Sequence, residues 1–598
     1  MKGVNSILPN IESMRFLAVL LVVLYHLGVP GFEMGYLGVD VFFVISGFVI
    51  SRSIEKSIST NSFGIINFWV KRANRLLPAL YTVLFVVLGL SFFFDPPHVT
   101  KDIGQAVAAT VLYAVNIFYY FEIDYFNDFH ITSPLIHTWS LSLEEQFYFF
   151  LPVLFLLSSF FKRKYLKGIV MLLILVSLFS WYNTLEVNRL ASFYMPWNRF
   201  WQLLIGVFIG IAVKLKSNKA ISIISFFALF ASILLVSDIL ISISLVMFFT
   251  ILMIVFSETK GLFIHKKLFM LGGRYSYSIY LWHQPLIYYL GGDFLIENEW
   301  LNNLFIIALT LLVSYCSYHF IENPMRYGKS IKKMVGILSF TALLLIIGFY
   351  FHKEDRIFEY KSKIWNMQGV VEDRNVVFDA RKEVWDSILS DKRDIDSSVV
   401  IIGDSKGEDL LVSLNLTGNN EHFNFFKRYT WDYNRELIEI DSSLLDGLDY
   451  SGLKLVVFTN TWKSVHNQGS VEFIEAFQQK YDVPIIIVNT SNFNDVSSLT
   501  FDLLRKGKKI NEMPGILYQN KRYDWQKQSK ELRQMLNDSK INFIWADKYQ
   551  AFCDDETLTC DLVREDGKIL IYDTGHLSTD GAIVFGDWFR QKFKKELE

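Results

Sequence analysis

Long apolar runs recur through the first 350 residues of this 598-residue chain and then stop, and no other feature restricts its fold so tightly. A helix needs about 20 residues to cross a bilayer core at ~1.5 Å per residue, with about 17 tolerated. Eleven stretches approach or exceed that length, at 14–29, 36–53, 77–94, 137–158, 166–182, 197–213, 220–236, 239–256, 274–290, 302–320 and 333–351. Most carry Leu, Ile, Val and Phe on every face, as a helix surrounded by lipid must. The expected fold class is a polytopic α-helical membrane domain with about 11 transmembrane helices. The first run is not read as a cleavable signal peptide, because Arg15 opens it, no small-residue cleavage site follows, and ten further spans come after it.

Loop charge tests the count, since short cytoplasmic loops collect Lys and Arg. With the N-terminus inside, the loops that return to the cytoplasm hold twenty such residues, Lys162, Arg163, Lys164 and Lys167 among them, and the opposite loops hold only Lys101 and Arg189. One miscounted helix would invert every later loop. The bias therefore argues for an odd number of spans, a cytoplasmic N-terminus and an external C-terminal part. The apolar stretch 103–120, with Gly104 and Gln105 early, reads as a re-entrant or interfacial helix rather than a twelfth span. Over the whole chain 58 Lys and Arg face 60 Asp and Glu, so no global basic field exists to hold nucleic acid.

The composition after residue 351 is that of a soluble domain, and 247 residues are ample for a core. Short β-rich runs, Val399–Gly403, Leu453–Thr459 and Pro484–Asn489, alternate with helical stretches such as Val471–Lys480 and Trp525–Asn537. That alternation predicts an α/β domain with a mainly parallel sheet. The expected organisation is a ten-span membrane domain over 1–330, a linking transmembrane helix over 331–352, an external linker over 353–395 and the α/β domain over 396–598.

Ionisable residues inside a span are costly and are functional candidates for that reason. Arg15 and His26 lie eleven steps of about 100° apart, so they share one helix face, about 16 Å apart along the axis. Arg15 alone reads as a snorkelling boundary residue and His26 alone as a hydrogen-bonded bundle histidine; their alignment favours a joint role. Asp40 opens the second span. Glu144 and Tyr148 share a face of the fourth, with Glu145 beside them, and His283 lies in the ninth. Arg72 and Arg75, at the cytoplasmic entry to the third span, can address a phosphate together or serve only as topology charge.

Taken in order, Arg15–X10–His26, YLGVDVFFVISGF (36–48), Arg72-Ala-Asn-Arg75, HTWSLSLEEQFYFFLP (137–152), YSYSIYLWHQPLI (275–287) and IENPMR (321–326) resemble the acyltransferase-3 membrane family. That family includes bacterial O-acetyltransferases of O-antigen and other surface polysaccharides. The resemblance implies an inner-membrane protein that uses acetyl-CoA, or another acyl-CoA, as a cytoplasmic donor and binds no permanent cofactor. It implies that His26 is essential, with Arg15 beside it, that Arg72 and Arg75 contact the CoA phosphates, and that Glu144 and Tyr148 form the family's Glu-x-x-x-Tyr element. A histidine of near-neutral pKa can take a proton from an attacking hydroxyl. Whether His26 acts as base or carries the acyl group stays open.

In the C-terminal domain, the strand Val399–Gly403 runs into Asp404 and Ser405 before a helix. A serine at such a turn has an exposed hydroxyl and a backbone N–H at a helix N-terminus, which suits a nucleophile; capping is the simpler role. Near the C-terminus stands Asp573-Thr-Gly-His576, which can supply a base and its orienting carboxylate. Gly-Asp-Ser, a mid-domain Asn and Asp-x-x-His resemble the SGNH hydrolase family. In that likeness Ser405 is nucleophile, His576 base, Asp573 its partner and Asn460 an oxyanion donor, with Gly418 a candidate for the second glycine. Lys406 stands where fused members commonly have His. Cys553 and Cys560 closely precede Asp573, as in fused members, and can pair in an oxidising periplasm or remain free thiols. Cys316, inside a span, reads as packing.

The expected activity is transfer of an acyl group, most simply acetyl, from acyl-CoA across the inner membrane to a hydroxyl of a surface polysaccharide or lipid-linked oligosaccharide. A membrane-anchored periplasmic esterase, or a polytopic transporter with a binding module, are the other readings.

Overall fold

The computed structural model describes residues 9–95, 97–126, 133–158, 163–236, 238–257, 267–291, 298–326, 331–353, 398–403, 405–418, 423–427, 453–459, 467–489, 496, 499–500, 503, 508–519, 524–565, 567–571 and 576–597. The chain divides into two compact units, Met1–Asp95 with Val99–Lys353, and Pro96–His98 with Glu354–Glu598.

The described part of the first unit is helical: α1 Pro9–His26, α2 Gly38–Ser59, α3 Ile65–Phe94, α4 Pro97–Val111, α5 Val115–Phe126, α6 Trp139–Ser158, α7 Arg163–Val187, α8 Arg189–Tyr194, α9 Pro196–Ala212, α10 Lys219–Leu235, α11 Ile239–Val255, α12 Lys267–Leu290, α13 Glu299–Ser317, α14 Asn323–Arg326 and α15 Ile331–Lys353. Each of the eleven apolar stretches falls on one of these helices. Length and composition alone establish fewer crossings. Among the described residues six helices qualify: Gly35–Ser59, Ile65–Phe94, Ile136–Leu157, Tyr165–Leu185, Trp300–Arg326 and Lys333–Phe351. The shortfall has two physical causes. α9, α10 and α11 have 17 residues each, while α1 and α12 are diluted by buried polar groups such as Asn10, Glu12, Ser276, Ser278 and His283. On α7 the residues Leu172, Leu175, Val176 and Phe179 form one exposed face at helical spacing. A soluble surface rarely carries such an apolar stripe, and lipid accommodates it.

Close helix contacts organise this unit. α9 carries Gly206 and Gly210 four residues apart, and a Cβ on Gly206 would overlap the Val44 carbonyl oxygen while one on Gly210 would overlap the Ser51 hydroxyl. From the other side, a Cβ on Gly47 would overlap the Leu203 carbonyl oxygen. This is the small-residue packing that lets backbones approach in a membrane. Gly206→Leu is therefore expected to separate α2 from α9 and to leave little monodisperse protein in detergent, read by size-exclusion chromatography; a wild-type yield would contradict this packing.

The stretch 103–120 is not one helix. It is broken between α4 and α5, where Tyr113 has φ of 53°. The Tyr113 carbonyl freed by the break accepts from Gln146 Nε2 at 2.7 Å, and Gln146 also bonds Asn116 at 2.9 Å. Irregular backbone in such a bundle persists only where protein supplies the missing partner. Cys316 lies on the exposed side of α13 rather than in the packing. Its neighbours Leu312 and Tyr315 are exposed too, so that face of the helix is the apolar outer one.

The second unit contains β1 Ser398–Gly403, β2 Phe423–Lys427, β3 Leu453–Thr459, β4 Ile485–Asn489 and β5 Ile544–Asp547, in a parallel sheet of order β2-β1-β3-β4-β5. Its helices are α16 Ser405–Thr417, α17 Asn467–Lys480, α18 Met513–Gln519, α19 Asp524–Asp538 and α20 Thr579–Lys592. The strands are apolar at successive positions because both faces are covered. Val399, Ile401, Leu455 and Val457 pack with Leu410, Leu414, Phe585 and Phe589 of α16 and α20. Val400, Ile402, Val456 and Phe458 pack on the opposite face with Ile474, Phe477, Leu532 and Leu536 of α17 and α19. Lys548, just past β5, is buried against Asp409 of α16 at 3.5 Å, fixing that helix to the sheet.

Candidate functional site

Two helices bring the membrane unit's site together. A Cβ on Gly273 would overlap the Glu12 carbonyl oxygen and one on Gly272 would overlap the Phe16 ring, so α12 lies directly on α1. Higher along the same pair, His26, the last residue of α1, meets His283 of α12. His283 Nε2 lies 3.3 Å from His26 Nδ1, and the ring centroids are 5.1 Å apart. A third ring, His137 in the turn Ile136–Thr138, sits 5.1 Å from His283 between centroids. His283 and His137 are buried whereas His26 stays half-buried, so His26 is the ring of the three that can meet a substrate.

Backbone geometry assigns the protons. His26 Nδ1 lies 3.0 Å from the Val22 carbonyl and His283 Nδ1 lies 2.6 Å from the Tyr280 carbonyl. A carbonyl only accepts, so each Nδ1 carries hydrogen in the neutral ring and each Nε2 carries the lone pair. Pro285 has no N–H to give the Leu281 carbonyl, its helical partner one turn earlier. The His137 ring approaches that carbonyl, yet neither of its nitrogens makes a well-formed hydrogen bond. Tyr280 holds the turn by donating to the His137 carbonyl at 2.8 Å, with Ser140 bonded to the same hydroxyl at 2.6 Å.

About 16 Å down α1 lies a group of arginines and carboxylates. Arg72 pairs with Glu145 at 3.3 Å and its guanidinium lies 3.6 Å from the Tyr148 ring centroid. Tyr148 donates to Glu144 at 2.9 Å and Ser46 donates to the other Glu144 oxygen at 3.1 Å. Glu144 and Tyr148 thus act on each other, as their spacing of four suggests. Arg15 is loosely paired with Glu12 at 3.9 Å. Arg75 lies within electrostatic range of Arg15, Arg72, Arg326 and Glu322. Its Nε is buried without a hydrogen-bond partner among the described residues. Glu322, in a turn of π-helix, accepts from Ser278 at 3.2 Å. Arg72 Nε is buried and unserved in the same way, so both arginines keep a donor suited to an anionic ligand.

Asp40 is elsewhere. It is fully buried and held by Arg199 at 3.0 Å and Gln202 at 2.8 Å, both on α9. The Arg199 guanidinium also lies 5.6 Å from Trp139 and 5.4 Å from Phe193, between ring centroids and its carbon. A charge so enclosed needs its partner, and through Oδ1 Asp40 ties α2 to α9, while its Oδ2 is buried without a hydrogen-bond partner among the described residues. Spacing along single helices does not single out His137, Glu322, Arg199 or Gln202. His137 and Glu322 stand inside two of the quoted motifs, and Arg199 is an ionisable residue within a span, so the cost rule applied to the other spans reaches it as well. Among the described residues no group of three or more His, Cys, Asp and Glu is arranged to hold a metal ion.

In the second unit α16 begins at Ser405, directly beyond the end of β1. Asp404, Asn460 and Asp573 lie outside the described residues, as does the Ser405 side chain. α16 and α20 run parallel: a Cβ on Gly586 would overlap the Ser413 carbonyl, and four residues on, Arg590 bonds Thr417 at 3.1 Å and the Leu414 carbonyl at 2.8 Å. Stepping back eight residues from that contact on each helix gives Ser405 and Ser578. The half-buried His576 therefore sits at the same end of the layer as Ser405. Gly418 does not. It lies thirteen residues along α16, about 20 Å from Ser405, where a Cβ would overlap the Arg590 guanidinium, so it caps the helix and offers no oxyanion amide. At the same carboxyl edge, burial pushes the Asp547 carboxyl above its usual range, against the Tyr549 N–H and Asn489 amide that favour its anion. Cys553 and Cys560 form a disulfide that ties two short strands, β6 Cys553–Asp554 and β7 Thr559–Cys560.

Comparison with known proteins adds a family context. Residues 8–319 match the model of an acyltransferase domain, and residues 442–591 match that of an SGNH domain fused to such domains. The second match begins after Ser405. The chain is 32% identical over 351 residues to O-acetyltransferase OatA of Staphylococcus aureus (strain NCTC 8325 / PS 47), covering 53% of this chain and 57% of the relative. It is 30% identical over 352 residues to the putative O-acetyltransferase SACOL0978 of S. aureus (strain COL), with the same coverage. The chain thus spans little more than half the length of these relatives. A solved structure, the periplasmic domain of a Salmonella ser. Paratyphi A lipopolysaccharide acetyltransferase, aligns over 40% of this chain and 97% of its own at 13% identity with a TM-score of 0.30, too low to compare folds.

Proposed function

The chain belongs to the acyltransferase-3 family, with an SGNH domain fused behind its membrane unit, and from that premise we propose that it moves an acetyl group from acetyl-CoA to a hydroxyl of a cell-surface polysaccharide such as lipopolysaccharide O-antigen. It is a multi-pass membrane protein, and the proposal sets it in a bacterial inner membrane with its N-terminus cytoplasmic and its SGNH domain periplasmic. The observation that carries the reading is the separation of functions along α1. One end, at Arg15 with Arg72 and Arg75, offers guanidinium groups to the phosphates of a CoA donor. The other end, at His26, offers a half-buried ring with an unencumbered Nε2.

The chemistry follows from that layout. Arginines hold the donor by its phosphates, which leaves the thioester free to extend toward the histidines. His26 Nε2 takes the proton of the hydroxyl that attacks the thioester carbonyl; a C–O bond forms, the C–S bond breaks, and the CoA sulfur departs with a proton returned from the imidazolium. The alcohol acetylated at His26 carries the group outward, where Ser405 Oγ attacks its ester carbonyl with His576 as base and Asp573 orienting it. The carrier alcohol leaves with the proton from His576, and a sugar hydroxyl then displaces the serine from the acyl-enzyme.

Vesicles bearing the protein test the sequence of events. With acetyl-labelled CoA supplied on the cytoplasmic side and polysaccharide acceptor on the other, label is expected on the acceptor at a rate that follows protein content. CoA-independent loss of acetyl from a pre-acetylated glycan would instead make the protein an esterase and remove this reading.

A further inference from the structure

His283 touches no proposed substrate group, yet it is placed to act on the ring that does. It is completely buried, on α12, and its Nδ1 is committed to the Tyr280 carbonyl at 2.6 Å. That bond leaves the Nε2 lone pair as its one remaining polar function, and this lone pair lies 3.3 Å from His26 Nδ1. A histidine that merely fills a core has its second nitrogen satisfied by an ordinary backbone or hydroxyl donor. Here the described neighbour is another imidazole, at the end of the helix that α12 grips through Gly272 and Gly273.

We propose that His283 is a positioning residue for His26, accepting the His26 Nδ1–H through its Nε2 lone pair. The Val22 carbonyl, 3.0 Å away, shares that hydrogen. Because Nδ1 is held protonated by two acceptors, Nε2 of His26 is kept as the basic nitrogen and aimed away from His283. When Nε2 takes a proton from an attacking hydroxyl, the Nδ1–H stays on His26 and its bond to His283 shortens, spreading the new positive charge without moving a second proton. A carboxylate does the same for the base of a serine hydrolase, with a full negative charge. A neutral imidazole stabilises the imidazolium less and costs less to bury in a bundle of this kind. His137, 5.1 Å from His283 between centroids, is the other titratable ring against it, and Tyr280 lies beside both.

This inference rests on His26 acting as the base, and its test separates the two ideas. In the vesicle assay, His283→Leu, which removes the acceptor, is expected to lower kcat by ~10²-fold with KM for acetyl-CoA unchanged. His283→Gln, which can present an amide oxygen at that place, is expected to recover most of the rate. On the unsubstituted protein, ¹⁵N-labelled at histidine, a through-hydrogen-bond coupling between His26 Nδ1 and His283 Nε2 is expected. If His283→Leu fails to fold, the coupling decides alone, and its absence overturns the proposal. Equal losses for the Leu and Gln variants, or a rise in KM at constant kcat, also overturn it. Full activity of His283→Leu beside an inactive His26→Ala sinks only the role of His283, whereas full activity of His26→Ala sinks the reading on which it rests.

Discussion

Alanine at position 26 is expected to lower polysaccharide acetylation by ~10³-fold or more while the protein still accumulates in the membrane in wild-type amounts. The asymmetry comes from where the ring sits. His26 ends α1, is half-buried, and its Nδ1–H goes to Val22, a carbonyl one turn back in the same helix. Losing that bond and the partner of His283 Nε2 costs about 1–3 kcal/mol and opens no large cavity. The helix is held by other means, chiefly the backbone contact of Gly273 on Glu12 and of Gly38 on Ala18. On the proposed mechanism there is no such redundancy, because His283 and His137 are buried and His26 is the ring of the cluster that keeps exposed surface. His26→Gln keeps a hydrogen-bonding side chain but no base, and is expected to be as inactive as the alanine variant. Mass spectrometry of the polysaccharide, with immunoblotting of the membranes, reads both quantities. An alanine variant with normal acetylation would refute the proton-transfer role.

The helical unit was legible because lipid imposes a length and an apolar surface, and both are written in the residues. The limits of that legibility lie where polar side chains enter the spans. α1 and α12 fall below a simple hydropathy threshold because Glu12, Arg15, Ser276, Ser278 and His283 occupy positions that an inert span would fill with Leu or Ile. The i to i+4 pairing of Glu144 with Tyr148 is a local relation, and helix geometry alone yields it. The meeting of His26, His137 and His283 joins three elements far apart in sequence, and spacing within one helix cannot reveal it. Asp40 is a different case. A buried carboxylate in a span invites a functional reading, and only the tertiary contact shows that its Oδ1 also holds α2 to α9 through Arg199 and Gln202.

In the SGNH unit the strands were readable for another reason: a parallel sheet covered on both faces needs continuous apolar runs, and β1, β3 and β4 have them. What the sequence could not supply is the parallel pairing of α16 with α20. It is this pairing, through Ser413 with Gly586 and Thr417 with Arg590, that carries Ser405 and His576 to one end of the layer although 171 residues separate them. The same contact disqualifies Gly418, which the sequence allowed as an oxyanion donor.

Ser405→Ala is expected to reduce transfer to the outer acceptor by ~10⁴-fold or more, the scale of losing a nucleophile from a hydrolase-type triad. The serine opens α16 at the carboxyl end of β1, and in a parallel α/β sheet that end is where ligands gather. Its backbone N–H belongs to the first turn of the helix, so negative charge developing on an acyl oxygen there is favoured by the helix dipole. The alanine variant keeps both the turn and the dipole, because alanine tolerates the first helical position. Stability should therefore change little, and activity should fall through loss of the Oγ alone. A serine-reactive phosphonate separates this from indirect effects: it should label the wild-type protein and fail to label Ser405→Ala. Equal labelling of the two, or undiminished acetylation by the variant, would show that the acyl group reaches the sugar without passing through this hydroxyl.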